Sequence, residues 1–114
     1  MSKRLRLTHP ARAQLKSIVR YTLEQFGPAQ ADRYRSQLVG SVERLCSADF
    51  PLGRSCARLK GEELTVPNLF YYREGMHYII YVETDEVVTI HDFICVGRDL
   101  PTIIRNLEAG LFDS

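Results

Sequence analysis

Side chains able to do acid–base or metal chemistry are sparse in this chain. There are three histidines, His9, His77 and His91, and three cysteines, Cys46, Cys56 and Cys95. The histidines are scattered and lack carboxylate spacing, so no metal site is indicated. The cysteines are odd in number and lack CxxC spacing. That argues against a disulfide framework and for a reducing cytoplasm, with the thiols buried or idle. His91 is a titratable group on an apolar, β-rich run, where an ordinary half-buried histidine is the competing reading. His9 reads as a helix-start residue, and His77 as facing solvent or a neighbouring strand.

Cationic side chains are better organised. Arg12, Lys16 and Arg20 repeat every four residues and share a helix face. No aromatics interleave them to stack on single strands, so a solvated face is the simpler reading. Residues 1–60 carry twelve Lys/Arg against four Asp/Glu, net +8, and residues 61–114 carry three against ten, net −7, within a total of +1. Such a split points to a nucleic-acid or acidic partner, or to a basic helical layer that pairs with acidic turns.

Three β-rich segments organise the fold that must position these groups. They are Asn68 to Arg73, Met76 to Val82 and Val87 to Val96, separated by Glu74-Gly75 and by Glu83 to Glu86. Apolar runs between short breaks of this kind predict an antiparallel meander. Alternation in Lys3 to Thr8 predicts a short edge strand with Leu5 and Leu7 inward. Thr8-His9-Pro10 is a helix start. Ala11, Leu15, Ile18, Val19, Thr22 and Phe26 then form one helical face. Gly27-Pro28 breaks the chain, and Ala31, Tyr34, Leu38, Val42 and Leu45 stripe a second helix. The pair predicts an αα-hairpin. Asp49 to Gly53 is a stop and turn, and Arg54 to Glu63 reads as a polar connection. Asp99 is placed to cap a short helix from Pro101 to Leu107, with residues 108–114 a fraying tail.

The expected fold is therefore α+β: an N-terminal strand and an αα-hairpin packed on an antiparallel β-sheet, in the order β-α-α-β-β-β, with a short C-terminal helix. The other sheet face is expected to stay partly open. In the third segment Val88, Ile90, Asp92, Ile94 and Val96 share the parity expected to face the core, which sends His91 and Phe93 to the open side. A length of 114 residues suits one domain, 1–114, and a core that needs no staples. Neither a spanning apolar run nor a leader is indicated.

Several motifs, taken in order, resemble the ParE-like branch of the RelE/ParE toxins of bacterial type II toxin–antitoxin pairs. They are Ala13 to Ile18 followed by Tyr21, Phe26-Gly27-Pro28-Ala29-Gln30-Ala31 with Tyr34, Pro51-Leu52-Gly53-Arg54, Leu69-Phe70-Tyr71-Tyr72-Arg73, and Gly97-Arg98-Asp99-Leu100-Pro101. The resemblance covers roughly residues 5–107. It implies a bacterial cytoplasmic toxin neutralised by a cognate antitoxin that wraps the helical hairpin and sheet edge. It also implies one of two targets. ParE-like members act on DNA gyrase, and RelE-like members cleave mRNA on the ribosome.

Metal-free RNA cleavage needs a base, an acid and cations for the developing charge. Lys60 lies near the place where the RelE-like branch puts basic residues, Arg73 matches an arginine at a strand end, and His91 is titratable. These three are the catalytic set if the chain is a nuclease. Against that reading, Asp92 stands where active members carry arginine, no tyrosine follows Tyr81, and the meander is acidic, a poor surface for a polyanion. Arg73 has a structural alternative, a bridge to Glu74 or Glu83. The reading carried forward is gyrase inhibition by protein binding. In it Arg73, Arg98 and Asp99 are target or partner contacts, no cofactor or metal is required, and the toxin alone does not bind DNA directly. A nuclease and an inactive antitoxin-binding module are the alternatives.

Overall fold

The computed structural model describes residues 2–61 and 63–113, with the side chains of 112 and 113 excepted. Among the described residues nine elements follow one another: β1 (Arg4–Leu7), α1 (His9–Phe26), α2 (Pro28–Ser47), β2 (Arg54–Ser55), α3 (Ala57–Lys60), β3 (Leu69–Glu74), β4 (His77–Glu83), β5 (Val87–Cys95) and α4 (Leu100–Asp113). The strands form one sheet in the order β1-β5-β4-β3-β2. The central meander is antiparallel as expected, and β1 joins the edge beside β5 in parallel.

Local chemistry starts and stops the hairpin. The Thr8 hydroxyl accepts from the Ala11 N–H at 3.2 Å, capping α1, and Pro10 sits in the first turn, where a missing N–H does no harm. Gly27 ends α1 at φ +89°, a left-handed value that disfavours a side chain, and Pro28 opens α2. The α2 stripe packs as predicted, with Ala31, Leu38, Val42 and Leu45 buried and Tyr34 against the core. On α1, Ala11, Ile18 and Thr22 are buried, whereas Phe26 is 67 % exposed and does not join the core. It lies in the last turn of α1, lining a pocket with Met76, His77 and Cys95 at the end of the sheet.

Two cores lie on opposite faces of the sheet. One joins α1 and α2 to Ile79, Tyr81, Val88, Ile90 and Phe93. The other joins Leu69, Ile80 and Ile94 to Cys56, Leu100 and Ile104. The second face is therefore covered by α3 and α4, not left partly open. The polar connection contains a two-residue strand and a helical turn, and its Cys56 is fully buried. The C-terminal helix runs well past Leu107. Glu108 is 1 % exposed and anchored, so the chain beyond Leu107 continues as helix to Asp113 in place of the expected fray.

A register shift corrects the expected parity of β5. Ile80 pairs with Asp92 but Tyr81 pairs with Ile90, leaving His91 as the extra residue of a bulge. Val88 and Ile90 face the hairpin. Beyond the bulge the parity reverses, so Phe93 faces the hairpin and Asp92 and Ile94 face α4. One inserted residue exchanges the two faces for everything after it.

Tyr34 fixes the β3–β4 turn to the hairpin. Its hydroxyl donates to the Glu74 carbonyl at 3.3 Å, accepts from the Met76 N–H at 3.1 Å and lies 2.6 Å from His77 Nδ1. Gly75 has φ +59°, and a Cβ there would come within 2.7 Å of the Tyr34 ring. His77 thus faces the hairpin. All three thiols are free, Cys46 and Cys56 buried and Cys95 exposed.

Candidate functional site

The three residues of the nuclease set are not brought together. Lys60 ends α3, and its ammonium lies 2.7 Å from the Glu108 carboxylate with only 11 % of the side chain exposed. Glu108 Oε2 also accepts from the Val66 N–H at 2.7 Å. Burial works against the Glu108 charge. The Lys60 and backbone hydrogen bonds outweigh it and hold the carboxyl below its ordinary range. Lys60 is therefore a structural cation that fastens the loop before β3 to α4.

Arg73 lies on the α4 side of the sheet, opposite Tyr78, which in turn faces Ile94. His91 is three residues back along β5. Strand spacings put the two roughly 14 Å apart. His91 is half-buried in the bulge, its carbonyl accepting from the Thr8 hydroxyl at 3.1 Å. Burial, then the Arg6 charge, pushes its imidazole below the usual value. Asp92 beside it is half-buried as well. Burial raises its carboxyl, with the Phe93 N–H and the Arg98 charge pulling the other way.

Asp99 is spent on α4. Its carboxylate accepts from the Thr102 N–H at 3.3 Å and the Thr102 hydroxyl at 2.8 Å, and these bonds lower its pKa. Capping was expected of it, and the carboxylate is thereby committed to the helix. Arg98 is exposed in the turn between β5 and α4.

Arg73 does not bridge to Glu74 or Glu83. Glu74 is taken by Ser41 and Arg44, and Glu83 by Lys3 at 2.7 Å, all on the hairpin side. Arg73 Nε instead donates to the Gly75 carbonyl at 3.1 Å. The arginine stands beside Arg54, Leu52, Tyr71 and Tyr78 in a cleft of about 380 Å³. The Tyr71 and Tyr78 rings meet edge to face, 5.9 Å apart. Arg54 is placed there by β2, whose preceding residue Gly53 donates its N–H to the Tyr81 hydroxyl at 2.8 Å. The cleft escaped sequence reasoning. The Tyr71/Arg73 parity was legible, but a two-residue strand carries no periodic signal that would bring Arg54 alongside.

A groove of about 540 Å³ runs along α1 beside β1. Leu7, Leu15, Val19 and Leu23 line it, and Arg12, Lys16, Arg20 and Arg35 rim it. The cationic ridge read from spacing is thus the border of an apolar trough. Among the described residues none of the four cations makes an ion pair, and no group of acidic, histidine and cysteine side chains is arranged to hold a metal. Nor is any described helix long and apolar enough to cross a membrane.

No curated protein matches the sequence. A solved structure described as the chromosomal ParDE TA system from P. aeruginosa aligns with a TM-score of 0.63 at 18 % identity, covering 83 % of this chain and 97 % of that one. That likeness establishes the fold. A family model, the ParE toxin of type II toxin–antitoxin system, parDE, matches residues 5–100. Since the match spans most of the sequence, the chain belongs to the ParE toxin family.

Proposed function

We propose that this chain is a cytoplasmic toxin that inhibits DNA gyrase by protein binding and is neutralised by a cognate antitoxin. The observation that carries the reading is the dispersal of the nuclease set. Lys60 is committed to Glu108, His91 lies roughly 14 Å from Arg73 by strand spacing, and Asp92 puts a carboxylate on the same sheet face. A general base, an acid and a cation must converge on one phosphate to cleave it. Here they do not, and binding is the action left to the surface.

The α1 groove supports the antitoxin half of the reading. An apolar trough with four cations on its rim suits an amphipathic acidic segment, and the adjoining β1 edge can accept a strand. Positive rim charge would steer such a partner onto the groove.

The test is inducible expression of the chain with and without its antitoxin, alongside a supercoiling assay with purified gyrase. Expected are growth arrest, lost supercoiling with intact transcripts, and rescue by the antitoxin. New transcript ends at ribosome-occupied codons with gyrase unaffected would refute it in favour of a nuclease. Normal growth without antitoxin would refute it in favour of an inactive binding module.

A further inference from the structure

The cleft between β2 and the end of β3 combines two arginines with two tyrosines. Arg54 pairs across from Tyr71, and Arg73 lies two residues further along the same face. Diagonal positions of this kind stand ~7–8 Å apart. Both arginines are exposed, and among the described residues neither has an acidic partner. Arg73 is aimed by its Nε bond to Gly75, which leaves its terminal nitrogens as donors. Tyr71, opposite Arg54, and Tyr78, opposite Arg73, add two half-buried rings to the same cleft.

Net charge by segment conceals this site. The second half of the chain is acidic, yet Glu74 and Glu83 discharge onto Arg44 and Lys3 on the opposite face. Asp85 and Glu86 lie in the β4–β5 turn, at the other end of the strands. The cleft itself presents guanidinium groups and aromatic rings, and Asp92, on the same face, is half-buried two strands away from Tyr71. Guanidinium forks match phosphate oxygens, and aromatic rings stack bases of any sequence.

We infer that the Arg54–Tyr71–Arg73–Tyr78 cleft binds single-stranded polynucleotide, with two phosphates on the arginines and a base against the tyrosines. The inference does not rest on the gyrase reading. Binding occurs without cleavage, because His91 and Lys60 stand away from the cleft.

Fluorescence anisotropy tests it, with 12-nucleotide oligothymidine and oligouridine probes and their duplexes titrated with the full chain. Saturable binding of single strands in preference to duplexes is expected. Its salt slope should be about −1.4, from roughly 0.7 per phosphate contact. Arg73→Gln should remove about half of that slope, and Arg54→Gln with Arg73→Gln nearly all of it. Tyr78→Leu should weaken binding roughly tenfold with the slope unchanged, as loss of a stacked base does. Comparing the two probes tells DNA from RNA as the ligand. Circular dichroism confirms that each variant is folded. Equal affinity for duplexes, binding unaffected by the double arginine substitution, displacement by poly-glutamate at matched charge, or Arg73-dependent cutting of the RNA would each overturn the inference.

Discussion

Replacing Lys60 with methionine tests whether this lysine is structural or chemical. The side chain is 11 % exposed and its partner 2 %. Lys60→Met keeps the aliphatic stem and leaves the Glu108 carboxylate buried against one backbone N–H. Removing one partner of a buried pair costs about 3–5 kcal/mol. For 114 residues the unfolding entropy is roughly 240 cal/mol/K, so each kcal/mol moves Tm by ~4 °C. The expected drop is thus ~12–20 °C, a large share of a stability of about 5–15 kcal/mol. The double variant Lys60→Met with Glu108→Gln removes the stranded charge but keeps an acceptor for Val66. It should recover more than half of the loss.

The pH dependence gives a sharper check. In the native protein Glu108 titrates below its ordinary 4.5. Its contribution is therefore full above about that pH and is lost as pH falls through the folded value. In Lys60→Met burial is opposed only by the Val66 and Thr65 hydrogen bonds, so the carboxyl rises relative to the native protein and protonation relieves the variant. The gap in Tm between the two proteins should narrow as pH drops from 6 to 4. Thermal unfolding followed by circular dichroism reads both effects. A variant melting within about 3 °C of the native chain, or a double variant no better than the single one, would refute the reasoning.

Other perturbations have defined outcomes. A Cβ at Gly53 would lie 2.5 Å from the Tyr81 hydroxyl and 2.6 Å from the Tyr71 carbonyl. Gly53→Ala should therefore cost about 1–3 kcal/mol in a denaturant titration, since backbone cannot yield. Burial lowers the pKa of His77 and of His91, so the unfolded chain binds more protons than the folded one below the ordinary value of 6.5. Stability should fall as pH drops from there through the lowered values, and proton NMR of the imidazoles would reveal an error of sign. Lys16→Glu with Arg20→Glu reverses exposed rim charges of the groove. Antitoxin association measured by stopped flow should slow on the order of tenfold, with a weaker salt dependence and unchanged Tm.

Periodicity and punctuation alone determined much of this molecule. Thr8, Pro10, Gly27 and Pro28 set the hairpin's ends, because caps and breakers act through bonds a few residues away. The α2 stripe and the three central strands were legible because one face of each is buried, which writes the period into the sequence. Asp99 could be read as a cap for the same reason of locality. The motif order was enough to indicate the ParE family. Tertiary structure decided what depends on partners distant in sequence. Lys60 looked like a chemical cation until Glu108, 48 residues on, claimed it. The parity of β5 reversed at His91 because one residue is absorbed in the pairing with β4, and no local pattern announces a bulge. The second sheet face was closed by α4, whose stripe does not say which surface it will cover. Arg54 came beside Arg73 only through a two-residue pairing, too short to leave a period and long enough to build a cleft.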